Sequence, residues 1–179
     1  MALRKVIHEG DPLLRKRSKE IKEITDHIRT LAEDMWETMY EANGVGLAAP
    51  QVGVLRRLVV IDVTEPEAEE EESAEEVEVA EPSPPDLPEI TKYILINPEI
   101  LEVSEETMTS KEGCLSVPGM VGMVERPVWV KARAMDIDGA PFEVEGDGML
   151  AKALLHEIDH LEGVLYTDIA ESIEEVAPE

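Results

Sequence analysis

The sequence predicts an α+β fold in which antiparallel strands surround a central metal-bearing helix and an N-terminal helix packs on the sheets. Three observations favour this architecture. An apolar stripe with helical spacing begins near residue 24, a second helical segment with two histidines lies near the C-terminus, and short strand-like runs lie between them. The length of 179 residues suits a single domain, residues 1–179.

The N-terminal helix is predicted from Thr25 to Ala42, after an irregular segment over residues 1–24. Its apolar residues recur at spacings of three and four: Ile24, Ile28, Leu31, Met35 and Met39. Thr25 or Asp26 can cap the start of the helix, and Asn43-Gly44 can close its end. We interpret the apolar stripe as part of the core.

Short runs rich in β-branched residues predict the strands, and turn residues separate them. The predicted strands are 57–63, 93–97 with a continuation over 99–103 beyond Pro98, 128–136 and 141–144. Asp138-Gly139 is a typical hairpin turn. The second helix is predicted from Asp147 or Gly148 to about Glu162, and Gly163 ends it.

Two segments are strongly acidic. Residues 65–89 consist mostly of Glu, Pro, Ala and Ser, and such a composition cannot offset the entropy of ordering the chain. We predict a flexible insertion there, between two strands. The C-terminal tail, residues 170–179, is predicted to be frayed or weakly helical.

Composition limits the classes of function. The formal net charge is −25, which disfavours stable binding to nucleic acid or to an anionic membrane surface. The one basic cluster, within residues 13–22, is interpreted as a solvated face. No apolar run approaches the roughly 20 residues that span a bilayer, and the N-terminus has no signal-peptide pattern. A single cysteine excludes an internal disulfide. These features predict a cytoplasmic protein without a membrane segment.

The most informative motif is an HExxH sequence, His156-Glu157-Ile158-Asp159-His160, on the second helix. Two histidines four residues apart lie on one helix face, so both rings can reach the same metal ion. Glu157 is adjacent and can take a proton from a water molecule at the metal. The motif therefore predicts a metal site in which Glu157 serves as the acid/base group.

A catalytic site of this type needs a third protein ligand. No histidine follows His160, which leaves two sources for this ligand. One is a downstream carboxylate, for which Glu171, Glu174 and Glu175 are candidates. The other is Cys114, which glycine and serine flank in Glu112-Gly113-Cys114-Leu115-Ser116. From these residues alone, a lone cysteine is slightly better explained as core filler.

A third segment, residues 44–51 with the sequence GVGLAAPQ, combines small residues with an amide. Its glycines allow the backbone to approach a ligand closely, and Gln51 can donate a hydrogen bond. The segment has neither the lysine of a P-loop nor the glycine spacing of a dinucleotide site. A plain tight loop after a helix is an equally good interpretation of this segment by itself.

The order GVGLAAPQ, EGCLS and HEIDH resembles the peptide deformylase family. The resemblance also includes the strand that ends at Ile96-Asn97-Pro98 and the LEGVLYTD sequence after the second helix. It covers nearly the whole chain apart from residues 65–89 and the acidic tail. Peptide deformylases remove the N-formyl group from the N-terminal formyl-methionine of new polypeptides and release formate.

The resemblance implies a role for each motif. It makes Cys114, His156 and His160 the metal ligands and Glu157 the proton carrier. The side-chain amide of Gln51 and the backbone N–H of Leu115 would donate to the carbonyl oxygen as it becomes negative. One divalent ion is implied, with Fe²⁺ as the cellular metal and Zn²⁺ or Ni²⁺ as possible replacements.

The resemblance also implies how substrate binds. The peptide would pair in strand fashion with Val45 and Gly46. The methionine side chain would enter an apolar pocket whose lining candidates are Val45, Leu115, Val124, Leu154 and His156. Arg126 would lie near the mouth of this pocket and meet the substrate backbone.

Two departures from the family pattern concern the metal helix and the tail. Leu155 occupies a position where the family usually has glutamine. In the family this position supports the site and does not take part in the chemistry. Some members have a basic C-terminal helix that contacts the ribosome, whereas this tail is acidic. Because the tail is acidic, we expect only transient proximity to the ribosome. We also expect formyl-Met nascent peptides as partners, and a monomer.

Two alternative functions remain at this point. A zincin-type metallopeptidase would take Glu171, Glu174 or Glu175 as its third ligand. A non-catalytic metal-binding interaction module would fold around the metal without turnover. The first alternative predicts normal metal binding in a Cys114→Ser variant, and the second predicts little effect of Glu157→Gln beyond metal affinity.

Overall fold

The structure, a computed structural model, describes residues 2–64 and 91–176. Within these ranges it contains two α-helices, α1 and α2, and eight strands, β1 to β8. The helices are α1 Asp26–Glu41 and α2 Gly148–Leu161. The strands are β1 Gly46–Ala48, β2 Leu58–Asp62, β3 Lys92–Val103, β4 Thr107–Cys114, β5 Val117–Pro127, β6 Trp129–Met135, β7 Pro141–Asp147 and β8 Ser172–Glu175. The predicted α+β fold is confirmed.

The strands form two antiparallel sheets. The larger has the order β1-β2-β3-β6-β7, and the smaller has the order β4-β5-β8. In the larger sheet β2 lies between β1 and β3, and Leu58, Val59 and Val60 are fully buried. The β6–β7 hairpin turns at Asp138-Gly139, as predicted, and Gly139 adopts a φ of 84°.

Helix α1 packs its apolar stripe against the larger sheet. Thr25 caps its start, because the Thr25 side chain accepts a hydrogen bond from the backbone N–H of Ile28. Met35 and Met39 are fully buried in one core cluster with Leu58 of β2. The interpretation of the stripe as core is confirmed, and the helix ends one residue before the predicted Ala42.

Strand β3 continues through Pro98 without ending. Its register with β6 shifts between Ile96 and Glu99, and Asn97 adopts a φ of 52° at this irregularity. The Asn97 side chain accepts a hydrogen bond from the Ile21 N–H at 2.8 Å and donates one to the Ile21 carbonyl at 2.8 Å. The predicted continuation after a kink is therefore confirmed. The hydrogen bonds of Asn97 at this kink connect the N-terminal segment to the sheet.

Helix α2 lies between the sheets and carries the HExxH motif. Ala151, Leu154 and Leu161 are buried in the core cluster of the larger sheet. His156, Glu157 and His160 are buried as well, although they are polar. Three such side chains on a helix this buried need specific partners, since an unpaired polar group in a core costs free energy.

The C-terminal tail contains a strand instead of a frayed or weakly helical end, so that prediction is wrong over residues 172–175. Strand β8 pairs with β5 over four residue pairs, from Met120↔Glu175 to Met123↔Ser172. All four β8 residues are exposed, so the acidic side chains remain in water while the backbone completes hydrogen bonds along β5. The N-terminal segment, predicted irregular, contains one short 3₁₀ turn at Pro12–Arg15.

Strands β2 and β3 approach each other closely at the ends of the described ranges. The Thr64 and Thr91 hydroxyls are 2.6 Å apart, and the Val63 N–H donates to the Thr91 carbonyl at 2.9 Å. The predicted flexible insertion at 65–89 lies outside the described residues. Neither helix in the described ranges is long and apolar enough to cross a membrane.

Candidate metal centre and active site

The three predicted metal ligands meet at one point. His156 and His160 lie one turn apart on α2, with ring centroids separated by 5.0 Å. Cys114 ends β4, and its Sγ lies 3.3 Å from Nε2 of His160. One ligand atom from each of the three residues lies within 4.8 Å of the others. This is the side-chain arrangement of a metal centre with one thiolate and two imidazoles.

The carboxylates proposed as the third ligand of a zincin are not part of this ligand cluster. Among the described residues, the one cluster of potential ligands with this geometry is Cys114, His156 and His160. Glu174 and Glu175 lie on β8 with exposed side chains. The structure thus supports Cys114 as the third ligand, and the zincin alternative loses its ligand set.

A buried network holds His156 in place. Its Nδ1 lies 2.9 Å from Oε1 of Glu112, which directs the other ring nitrogen, Nε2, toward the ligand cluster. Arg126 donates two hydrogen bonds to Glu112, at 2.7 and 3.0 Å, and one to Asp159, at 2.9 Å. Arg126 therefore joins β4 to α2 through the two carboxylates. Burial raises the pKa of Glu112, but the hydrogen bonds from His156 and Arg126 lower it to about 2.

The prediction for Arg126 placed it at the pocket mouth, in contact with substrate backbone. The structure instead buries it, with 7% of its surface exposed, and its guanidinium is occupied by Glu112 and Asp159. An arginine with its donors committed to two carboxylates is a structural partner of the metal centre. Glu112 and Asp159 were missed in the sequence, although Glu112 lies two residues before Cys114 and Asp159 lies between the two histidines.

The two histidines have different protonation properties. Burial and the charges of His156 and Arg126 lower the pKa of His160 well below its usual value, which favours the neutral, ligating form. Burial also lowers the pKa of His156, but interactions with Cys114 and Glu112 raise it to about 10 when no metal is present. A metal ion that binds here therefore competes with a proton for the His156 ring.

Glu157 is placed beside the ligands in a confined space. It is 4% exposed, and its Oε2 has no hydrogen-bond partner among the described residues. A Cβ atom at Gly46 would lie 2.7 Å from Oε1 of Glu157, so the close approach of β1 to this carboxylate requires glycine. Burial raises the pKa of Glu157 to about 7, with the charges of His156 and Arg126 opposing the shift. A carboxyl group with this pKa can both accept and donate a proton near neutral pH.

Gln51 points its amide at the metal ligands. It lies in a 3₁₀ turn, Ala49–Val52, that directly follows β1. Its Oε1 accepts a hydrogen bond from the Ala48 N–H at 3.0 Å, which orients Nε2 toward Ser116 Oγ at 3.1 Å and Cys114 Sγ at 3.5 Å. The first and second motifs are therefore in contact, and the amide donor faces the ligand cluster.

A cleft of about 370 Å³ opens onto these residues. Predicted site residues that line it are Val45, Gly46, Gln51, Cys114, Leu115, His156 and Glu157. Val124 and Leu154 were predicted to line the pocket, but both are fully buried elsewhere. Val124 packs with Val117 and Tyr166, and Leu154 belongs to the core of the larger sheet. Neither residue is on the lining of the cleft, because each packs into one of the hydrophobic cores.

The comparisons with known proteins agree with this geometry. The family model described as polypeptide deformylase matches residues 3–176. A peptide deformylase of Lachnoclostridium phytofermentans is 51% identical over 168 residues, which cover 94% of this chain and 89% of the relative. The peptide deformylase of Agathobacter rectalis is 48% identical and covers 96% and 92%.

The chain belongs to the polypeptide deformylase family. A crystal structure of a peptide deformylase from Legionella pneumophila superposes with a TM-score of 0.77 at 38% identity, over 94% of this chain and 86% of that one. The family predicted from three ordered motifs is therefore confirmed, and so is the prediction of an enzyme. A non-catalytic metal-binding module has no support among these relatives.

The Glu112 carboxylate gives a test of the network around the metal centre. A Glu112→Gln variant should bind divalent metal about 10- to 100-fold more weakly, because it loses the charged partner of His156 and of Arg126. Competition with a chelator of known affinity measures this change. Glu105→Gln, an exposed position on the β3–β4 connection, is the matched control and should keep the affinity of the unchanged chain. Equal metal affinity in both variants would contradict the role of Glu112.

Proposed function

We propose that this chain hydrolyses the formyl amide at the N-terminal methionine of newly made polypeptides, releasing formate and a free amine. The observation that supports it most strongly is the convergence at one cleft of three ligand atoms within 4.8 Å, a buried carboxyl group and a side-chain amide. Each of these groups matches one requirement of amide hydrolysis: a Lewis acid, a proton carrier and a donor to the carbonyl oxygen.

Cys114, His156 and His160 would hold one divalent ion. A thiolate and two imidazoles form a donor set that accepts both ferrous iron and zinc. We propose Fe²⁺ as the resident ion, with Zn²⁺ or Ni²⁺ as replacements. When bound, such an ion polarises a carbonyl group and makes a neighbouring water molecule more acidic.

Glu157 would carry the proton. In its ionised form its carboxylate accepts a proton from the water that attacks the formyl carbon, and the resulting carboxylic acid delivers a proton to the departing amine. The pKa of about 7 suits both steps. The missing side chain at Gly46 leaves room for the Glu157 carboxyl group beside β1, where it is 4% exposed.

Gln51 and Leu115 would stabilise the oxygen that becomes negative during the attack. The Gln51 amide is held by the Ala48 N–H and lies beside Cys114 before substrate arrives, so one of the N–H groups that contact Ser116 and Cys114 needs only to turn to the substrate oxygen. Leu115 directly follows Cys114 in the tight turn between β4 and β5, and its backbone N–H is proposed as the second donor.

The substrate would lie along β1. Strand β1 pairs with β2 and with no other strand among the described residues, so one of its edges remains available for the peptide. Val45, Gly46 and Leu115 all line the cleft. The methionine side chain would use the apolar surfaces of Val45 and Leu115.

Formate release tests the activity. The protein, purified without oxygen and loaded with Fe²⁺, should release formate from formyl-Met-Ala-Ser, and a Glu157→Gln variant should keep the metal but lose about 10²- to 10⁴-fold in kcat. Metal content is measured on both samples. The peptide without its formyl group is the blank. Metal-loaded protein without formate release above this blank would argue strongly against the proposed function.

The pKa of Glu157 predicts the pH dependence. The base form of Glu157 exists above its pKa of about 7, and a cation held at the adjacent ligands lowers that pKa further. We therefore expect kcat/KM to fall tenfold per pH unit on an acidic limb located at or below about pH 7. A pH profile with metal content checked at each point measures the limb. The residual activity of Glu157→Gln should not show it.

We also propose that the chain acts as a cytoplasmic monomer and approaches the ribosome only transiently. Glu174 and Glu175 on β8, with Glu171 just before it, place exposed negative charge on the tail, which ribosomal RNA repels. In co-sedimentation with ribosomes, the chain should bind weakly, and a Glu171→Gln/Glu174→Gln/Glu175→Gln variant should not bind less. Tight binding that this variant lost would contradict the proposal.

A further inference from the structure

Within residues 2–64 and 91–176, the solvent-facing charges on the lining of the active-site cleft are positive, whereas the chain as a whole is strongly negative. The chain has 41 acidic and 16 basic residues, yet among the described residues the exposed or half-buried charged ones that line this cleft are Lys111 and Lys152. The acidic residues on the lining, Glu112 and Glu157, are buried at 3% and 4% exposure. Glu112 is in addition neutralised by Arg126.

The Lys152 side chain reaches the backbone of Lys111 at the rim of the cleft. Lys152 donates a hydrogen bond from Nζ to the Lys111 carbonyl at 2.7 Å, across the gap between α2 and β4. Neither side chain forms an ion pair within the described residues, although Lys131 does so on β6. Their positive charges therefore face solvent and any ligand that enters the cleft.

The position of Lys152 suits residues that follow the formylated methionine. Lys152 precedes His156 by four residues, so it lies on the same face of α2, about 6 Å along the helix axis from the metal ligand. An extended peptide advances about 3.3 Å per residue. An extended peptide whose formyl group lies at the metal ligands therefore has its second and third residues at distances from the ligands comparable to that of Lys152.

We propose that Lys111 and Lys152 make this enzyme select formyl-Met peptides that carry a carboxylate side chain at the second or third residue. This inference rests on the proposed function and names a subclass of its substrates. The attraction is local: at physiological ionic strength, charges beyond about 8 Å are largely screened, so the net charge of the whole molecule does not cancel two lysines in contact with the peptide.

Paired peptides test this selectivity. Formyl-Met-Ala-Asp-amide and formyl-Met-Asp-Ala-amide are compared with the same peptides containing Asn, which has the same shape and no charge. The Asp/Asn ratio of kcat/KM should be roughly threefold for at least one pair, a size expected for exposed charges. The difference should appear in KM, since the lysines lie away from the scissile bond, and it should shrink as salt is raised from about 0.05 M to about 0.5 M.

Variants of the lysines assign the effect. The Lys111→Gln/Lys152→Gln variant should bring the Asp/Asn ratio to about one, and Lys111→Glu/Lys152→Glu should invert it because the rim then repels a carboxylate. Lys152→Arg keeps the charge and should keep the ratio. Lys22→Gln, outside this cleft, is the control and should match the unchanged chain in ratio and activity.

The outcomes separate the two proposals. Formate release with an Asp/Asn ratio of one or less for both pairs overturns the selectivity and leaves the deformylase function intact. A ratio above one that persists in the Lys111→Gln/Lys152→Gln variant also overturns it. Absence of formate release from every peptide by metal-loaded protein would instead overturn the proposed function, and this inference with it.

Discussion

The buried contact of Arg126 with Glu112 and Asp159 is the interaction on which the rest of the site depends. Glu112 belongs to β4 of the smaller sheet, and Asp159 belongs to α2, which packs on the larger sheet. Arg126 itself lies on β5, so one guanidinium joins three elements. Breaking such a buried pair is costly, because it leaves uncompensated charge in a low-dielectric interior. The position of Cys114 relative to the two histidines follows from this connection.

The same network explains why a strongly acidic protein can bury several carboxyl groups around a metal centre. Arg126 stabilises the charged form of Glu112, and Glu112 in turn orients His156. Among the described residues no group donates to Oε2 of Glu157, and burial raises the pKa of this carboxyl group. Two carboxyl groups in one site therefore differ in their protonation because their hydrogen-bond partners differ. A supporting role for one and a proton-transfer role for the other follow from this difference.

Much of the fold could be predicted because its signals are local. The helix caps, the hairpin at Asp138-Gly139 and the stripe of α1 each reflect the chemistry of neighbouring residues. Strand β8 could not be predicted in this way, since its partner β5 lies about 50 residues earlier in sequence and two of its four residues are glutamates. The histidines followed from helix periodicity. Cys114 and Gln51 needed the family resemblance, because their meeting depends on the packing of the two sheets. The prediction that Arg126 lies at the pocket mouth was wrong for a related reason. The sequence does not show that the guanidinium of Arg126 donates its hydrogen bonds to two carboxylates.

The junction at Thr64 and Thr91 has a consequence for the molecule as a scaffold. The two residues are in hydrogen-bond contact, so whatever joins them begins and ends at nearly the same point of the larger sheet. The entropic free-energy cost of closing a loop rises only slowly with loop length, by about 0.6 kcal/mol for each doubling of the length. The junction therefore accommodates connections of very different length without a change in the register of β2 and β3. A fluorescent reporter or an affinity tag could be grafted there while the metal helix keeps its place.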